Sequence, residues 1–349
     1  MKMWTRFTAV IACGAWVLIA SGVGSPLTGQ GFSSPVLGYQ FDQSHGAMRL
    51  IVGIPGAALV GGILDVGVNL SGLAMASSQT FALGKAEESS EVLLLDLTQD
   101  PVSVRPVVDA APAPDQMVLS PAGRAAALYY HDEGRIRILR DLPRTAAVHA
   151  ELQLDWRTSS VVTIGISDEG VVLVSVKESD GESIFALTER GTRFLFKMGH
   201  ASAVTFIKDS NDALVTDFKN NQVLLFRDVA GSGQTFMLAG PQDGVAQPVA
   251  IAVSHSSQRA LVMNADSGNI LFLSLNGDKP LQFSCECRAV GFHALKGDSL
   301  FQLISPSETL LVVLDASGEV PRTYLVPNGE TLPLQAPTTP LPKTRRIPH

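Results

Sequence analysis

The 349-residue sequence is short of several things, and each shortage narrows what the chain can be. Three cysteines, Cys13, Cys285 and Cys287, are too few for a disulfide framework to replace a hydrophobic core. Aromatic residues make up only 6%, so a core must be packed from Val, Leu, Ile and Ala. Charged residues make up 17% against 46% hydrophobic, which excludes a disordered polyelectrolyte. The net charge is −7 and no basic stripe is present, which argues against nucleic acid as a partner, because phosphate contacts need clustered Lys and Arg. The one dense basic cluster, Lys343, Arg345 and Arg346, sits in a Pro-rich tail. Beyond the first 30 residues no window keeps a helical apolar period, and no apolar run approaches the roughly 20 residues that cross a bilayer. Enzyme signatures are also missing: there is no G-x-S-x-G elbow, H-E-x-x-H helix, P-loop or EF-hand loop.

What is present begins with an address. Lys2 and Arg6 precede an apolar stretch from Phe7 to Ala20, and the small residues Ala20, Ser21 and Gly22 follow. An apolar stretch of about 14 residues is too short for a membrane anchor, so 1–30 reads as a cleaved signal peptide and linker, directing the chain to the periplasm or beyond. Val10-Ile11-Ala12-Cys13 is similar to a lipobox and opens the alternative of a lipoprotein. Lipidation at Cys13 would leave an apolar region of about six residues, below the usual length, so Cys13 is read as part of the signal's core.

The central feature is a repeat. A short polar turn between two apolar strands recurs at Ser77-Ser78-Gln79-Thr80, Ser120-Pro121-Ala122-Gly123-Arg124 and Ser167-Asp168-Glu169-Gly170. It returns at 208–212, 254–259 and 293–298, with spacings of 43, 47, 41, 46 and 39 residues. That interval matches one four-stranded propeller blade. The flanking runs, among them Met117-Val118-Leu119, Val249 to Val253 and Val223 to Phe226, are short, apolar and bounded by Gly, Asn, Asp or Ser, as strands are. Val36 to Phe41 and Met48 to Val52 look like an extra hairpin of third and fourth strands before the first full unit. The expected fold is an all-β propeller of six to seven four-stranded blades, an N-terminal half-blade plus six full repeats, over 31–327. Residues 328–349, Pro-rich and basic, read as a disordered tail.

Ile251-Ala252-Val253-Ser254 through Arg259 to Leu273 resembles a YVTN- or NHL-type propeller repeat. Leu119-Ser120-Pro121-Ala122-Gly123-Arg124 is similar to the strand-turn-strand marker of WD40-like and TolB-like propellers, and Ala239 to Gly244 resembles the NHL loop. The resemblance covers about residues 73–327 and implies the fold. The Trp-Asp dipeptide of true WD40 repeats is absent from the third strands.

Propellers gather the loops between second and third strands, and those linking blades, on one face. The first kind hold ten acidic residues, including Glu182, Asp217, Asp266 and Glu308, against three lysines. Such a face attracts a cationic partner or a divalent ion, and equally keeps an exported fold soluble. The blade-linking loops add His200 and Asp243; with Asp217 and Asp266 these are the candidate ligand-binding residues at the channel mouth. Cys285 and Cys287, two apart on a strand, form a candidate disulfide or thiol pair. No catalytic residue, resident metal or cofactor is expected. The signal peptide, the acidic face and the missing catalytic motifs together point to an exported, monomeric, non-enzymatic propeller that presents a loop face to a protein or glycan. The alternative is a propeller hydrolase of lactonase type with a divalent ion at the channel mouth.

Overall fold

The computed structural model describes residues 35–154, 161–285, 288–305 and 311–329. The signal segment, Cys13, Cys287, Glu308 and the tail from 330 onward lie outside the described residues. Seven antiparallel sheets form the blades of a β-propeller; among the described residues six hold four strands and blade 1 holds three. Blade 1 holds β1 (Val36–Asp42), β2 (Ala47–Ile54) and β3 (Ala57–Leu64), and blade 2 starts with β4 (Leu70–Met75). Blades 2 to 7 span 70–106, 116–153, 161–198, 201–239, 248–284 and 291–326. No α-helix occurs among the described residues.

The core lies between blades. Seven apolar clusters each join one neighbouring pair, and the cluster of Leu37, Ile51, Val60, Leu295, Val313 and Val326 joins blade 7 back to blade 1. Middle strands are therefore buried on both faces: Ala126–Tyr130 and Ala213–Asp217 are buried at every residue. This is why they read as continuous apolar runs rather than as alternating ones. Outermost strands such as Gln234–Ala239 are half exposed.

All six repeated turns join first to second strands, and they touch one another around the channel. The Asp168 carboxylate accepts from the Ala122 and Asp209 backbone N–H groups at 2.8 and 2.9 Å, tying blades 3, 4 and 5. Asp298 accepts from Ser256 N–H at 2.7 Å and ties blade 7 to blade 6. In blade 7 the expected turn starts late: His293 and Ala294 end the strand Gly291–Ala294, and the turn opens at Leu295. The closing residue of the turn takes a left-handed backbone at Gln79, Gly123, Gly170 and Gln258. Glycine adopts that conformation freely, whereas glutamine does so at a cost of about 1 kcal/mol.

Blade 1 differs from the sequence expectation. The segment 36–52 is not a hairpin of third and fourth strands; β1 and β2 are the second and third strands, and β3 is a fourth. β3 was missed because Gly61 and Gly62 interrupt its apolar run. The direction of β1 decides the assignment. Its start lies among the first turns of the neighbouring blades, where Lys296 N–H donates to Leu37 C=O at 2.8 Å. Its end leads to Gly46, whose carbonyl accepts from Leu70 N–H where blade 2 begins. β1 thus runs against the innermost strands. The described residues hold no innermost strand for blade 1.

Candidate functional site

The loop face carries the residues singled out from sequence, and the structure gives them unequal roles. Asp217 ends the second strand of blade 5 and is 1% exposed. Its carboxylate accepts from Gly199, His200, Lys219 and Asn220 backbone N–H groups and from the Asn220 side-chain amide, at 2.8 to 3.1 Å. Five donors leave this carboxylate no capacity for a ligand, so Asp217 holds two loops together.

His200 sits beside it with its side chain 45% exposed. Its Nδ1 lies 2.6 Å from Glu182 Oε1, and its ring meets Phe218 edge-on at 5.9 Å between centroids. Glu182, 4% exposed, comes from the third strand of blade 4; its Oε2 accepts from Ala201 N–H at 2.9 Å and from the Ser175 hydroxyl. The carboxylate stands between serine and histidine, so it orients the imidazole and does not let the imidazole activate the hydroxyl. His200 lines a shallow depression together with Phe218, Lys219, Asn221 and Gln247.

Asp243 closes the short 3-10 turn Pro241–Asp243, accepting from Gly240 N–H at 2.9 Å. Asp266 is exposed in its loop. The structure joins His200 to Asp217, and no contact among the described residues joins Asp243 or Asp266 to that pair. Nor do the described residues gather three or more His, Cys, Asp or Glu side chains around one point. Cys285 is disulfide-bonded, with its Sγ 3.7 Å from the Gly268 carbonyl oxygen.

The acidic face is weaker than its composition implied. Glu182 and Asp217 point inward, and Lys197 lies 2.6 Å from Asp180 and 3.6 Å from Glu178. That lysine belongs to an outermost strand, which a count over the loops alone cannot include.

Sequence reasoning missed the equivalents of Asp217. In blade 6 the fully buried Asn264 ends the second strand, accepts from Ala246 N–H and donates to Gly244 C=O and Asn269 Oδ1. In blade 1 the residue is Asp42, which ends β1 and accepts from Ser44, His45 and Arg49. The Ser44 hydroxyl, foremost among these donors, holds its carboxyl down to about 2. A signal was available: each is the polar residue that ends an apolar second strand.

Next to Asp42 lies a cleft of about 580 Å³, lined by Phe41, Asp42, Leu73, His293 and Leu303 among others. It occupies the place an innermost strand would fill, between β4 and Gly291–Ala294. Burial holds the His293 imidazole below the usual histidine range. The far end of the cleft is closed by Gln79, whose side chain accepts from Tyr39 N–H at 3.0 Å and donates to Ala294 C=O at 2.7 Å. The strained backbone at Gln79 is explained by this bridge, which a glycine there could not make.

No family model matches the chain, and no curated protein matches it. Solved structures do. A functionally unknown protein from Desulfotomaculum acetoxidans aligns at 13% identity and a TM-score of 0.59, over 84% of this chain and 94% of that one. A protein from Lactobacillus plantarum aligns at 13% identity and a TM-score of 0.55, over 84% and 96%. Hydrazine synthase of Kuenenia stuttgartiensis aligns at 14% identity and a TM-score of 0.51, over 82% and 92%. The likeness is one of fold. At these identities it carries no activity or partner to this chain.

Proposed function

We propose that this chain is an exported, monomeric, non-enzymatic β-propeller of the YVTN, NHL and WD40-like group, which presents its loop face to a protein or glycan. The observation that carries the reading is the engagement of Asp217, the most buried acid on that face, by five donors of its own loops. It builds a rigid platform and leaves exposed residues such as Glu87, Glu88 and Asp132 for contact. The test is binding of the mature protein to a glycan array and to envelope protein fractions. A specific ligand whose binding is lost in Glu87→Lys/Glu88→Lys or in Asp132→Lys supports the reading.

The His200–Glu182 pair favours a second reading, a hydrolase of lactonase type. A histidine oriented by a carboxylate through Nδ1 and open at Nε2 can serve as a general base or metal ligand. Hydrolysis of lactones by purified protein, with or without added divalent ions and abolished by His200→Ala, would establish this reading and remove the first.

A further inference from the structure

In the depression beside His200 the backbone is fastened from several sides and the side chains are left free. Asp217 holds the loop 218–221 through the Lys219 and Asn220 N–H groups, and Phe218 N–H donates to His200 C=O at 2.9 Å. Asn221 Oδ1 accepts from Gln247 N–H at 2.6 Å, which ties that loop to the link between blades 5 and 6. Gln247 C=O in turn accepts from Ala265 N–H at 3.0 Å, so Gln247 is held by both blades. Asn221 and Gln247 take a left-handed backbone, at φ of 54° and 48°. Asparagine visits that region readily; glutamine there is an outlier of the kind that collects at ligand sites.

The groups left over form a matched set around the half-buried Phe218 ring. His200 Nδ1–H donates to Glu182, so Nε2 of the neutral imidazole is an acceptor. Asn221 Oδ1 is used by Gln247 N–H, which leaves the Asn221 Nδ2 group to donate. The side chains of Gln247 and Lys219 are exposed and meet no hydrogen-bond partner among the described residues. An ammonium only donates, whereas the Gln247 amide both donates and accepts. A ligand that satisfies this mixture carries several groups that give and take hydrogen bonds at once, on a body with an apolar face. Adjacent hydroxyls on a pyranose ring do so, and the C–H face of the ring packs on an aromatic side chain. A cationic ligand would find no free carboxylate here, because Glu182 and Asp217 are both engaged. The volume of about 420 Å³ lies within the range of small-ligand sites. We propose that this depression binds a neutral pyranose of a glycan, packed on Phe218 with its hydroxyls held by His200 Nε2, Asn221 and Gln247. The inference rests on the binding reading above and narrows its partner to a glycan. His200 and Asp217 fasten the loops, and the sugar meets what they hold in place.

The probes are the methyl β-glycosides of glucose, galactose and N-acetylglucosamine and the methyl α-glycoside of mannose. Each is titrated against the full mature protein by saturation-transfer NMR. At least one is expected to bind saturably, with a dissociation constant of millimolar order. Phe218→Leu keeps apolar bulk under the loop but removes the ring, and is expected to weaken that binding by about tenfold. Phe218→Trp keeps a ring and is expected to stay within about threefold of wild type. Gln247→Ala removes an exposed amide that holds no other part of the fold, and is expected to weaken binding by about fivefold. If Phe218→Leu lowers the urea midpoint, Gln247→Ala decides in its place. Absence of saturable binding to all four glycosides, or wild-type affinity in both Phe218→Leu and Gln247→Ala, would overturn the proposal. A glycan or protein ligand that binds Phe218→Leu at full strength leaves the binding reading standing and removes this site. Lactone hydrolysis abolished by His200→Ala removes the binding reading, a result the glycoside titrations neither require nor produce.

Discussion

Blade 5 and blade 1 use the same polar position in opposite settings. In blade 5 the second strand ends in Asp217, is covered by an innermost strand, and has every acceptor of that carboxylate engaged. In blade 1 the equivalent Asp42 closes its own loop beside a cleft and a strand edge that no described strand pairs. The residues that look most like a site, His200 and Asp217, belong to the complete blade, where they fasten loops. Among the described residues, the second strand with no innermost strand beside it belongs to blade 1, where no residue type announces it.

Six substitutions at five positions test this contrast, in comparisons ordered by the largest effect each contains. Phe226 is fully buried between blades 4 and 5, and Phe226→Ala should cost about 3–5 kcal/mol in urea unfolding. Phe41→Ala, at the half-exposed cleft, should cost about 1 kcal/mol. Equal costs would mean that the cleft is packed like the rest of the ring. Asp217→Ala strands four backbone donors and should cost roughly 3 kcal/mol, read as a lower urea midpoint at unchanged slope. If it is nearly neutral, its network is not what holds blade 5.

Gln79→Ala cuts the bridge between β1 and blade 7 and should cost about 1–2 kcal/mol. Gln79→Gly loses the same bridge but relieves the left-handed backbone, so it should be milder by about 1 kcal/mol. If the two variants unfold together, the backbone at Gln79 stores no strain. The smallest effect is a matter of pH. The folded Asp42 carboxyl sits at about 2, below its unfolded value near 3.8, so the unfolded chain binds more protons between those limits. Its stabilisation is therefore present above about pH 4 and lost as pH falls toward 2. Asp42→Asn should flatten that part of the stability curve, measured by thermal unfolding from pH 2 to 5.

Much of the ring was legible along the chain. Six copies of one turn, spaced by 39 to 47 residues, are a local signal, because each turn's polar residues and left-handed backbone recur whatever surrounds them. The apolar middle strands were legible for the same reason, since burial on both faces writes itself into every residue. Roles at the loop face were not legible. Whether an acid such as Asp217 or Glu182 faces a ligand or a neighbouring backbone depends on donors brought from 18 or 19 residues away.

By itself, then, the sequence determined the all-β repeat, the low aromatic content of its core and the positions of its turns, because strand pairing within a blade is between neighbours in the chain. Only the tertiary structure decided that β1 is a second strand, that Gln79 bridges two blades across it, and that no described strand pairs its edge beside Phe41. Those facts depend on residues about 40 and 215 positions apart meeting where the ring closes, and closure is a property of the whole ring.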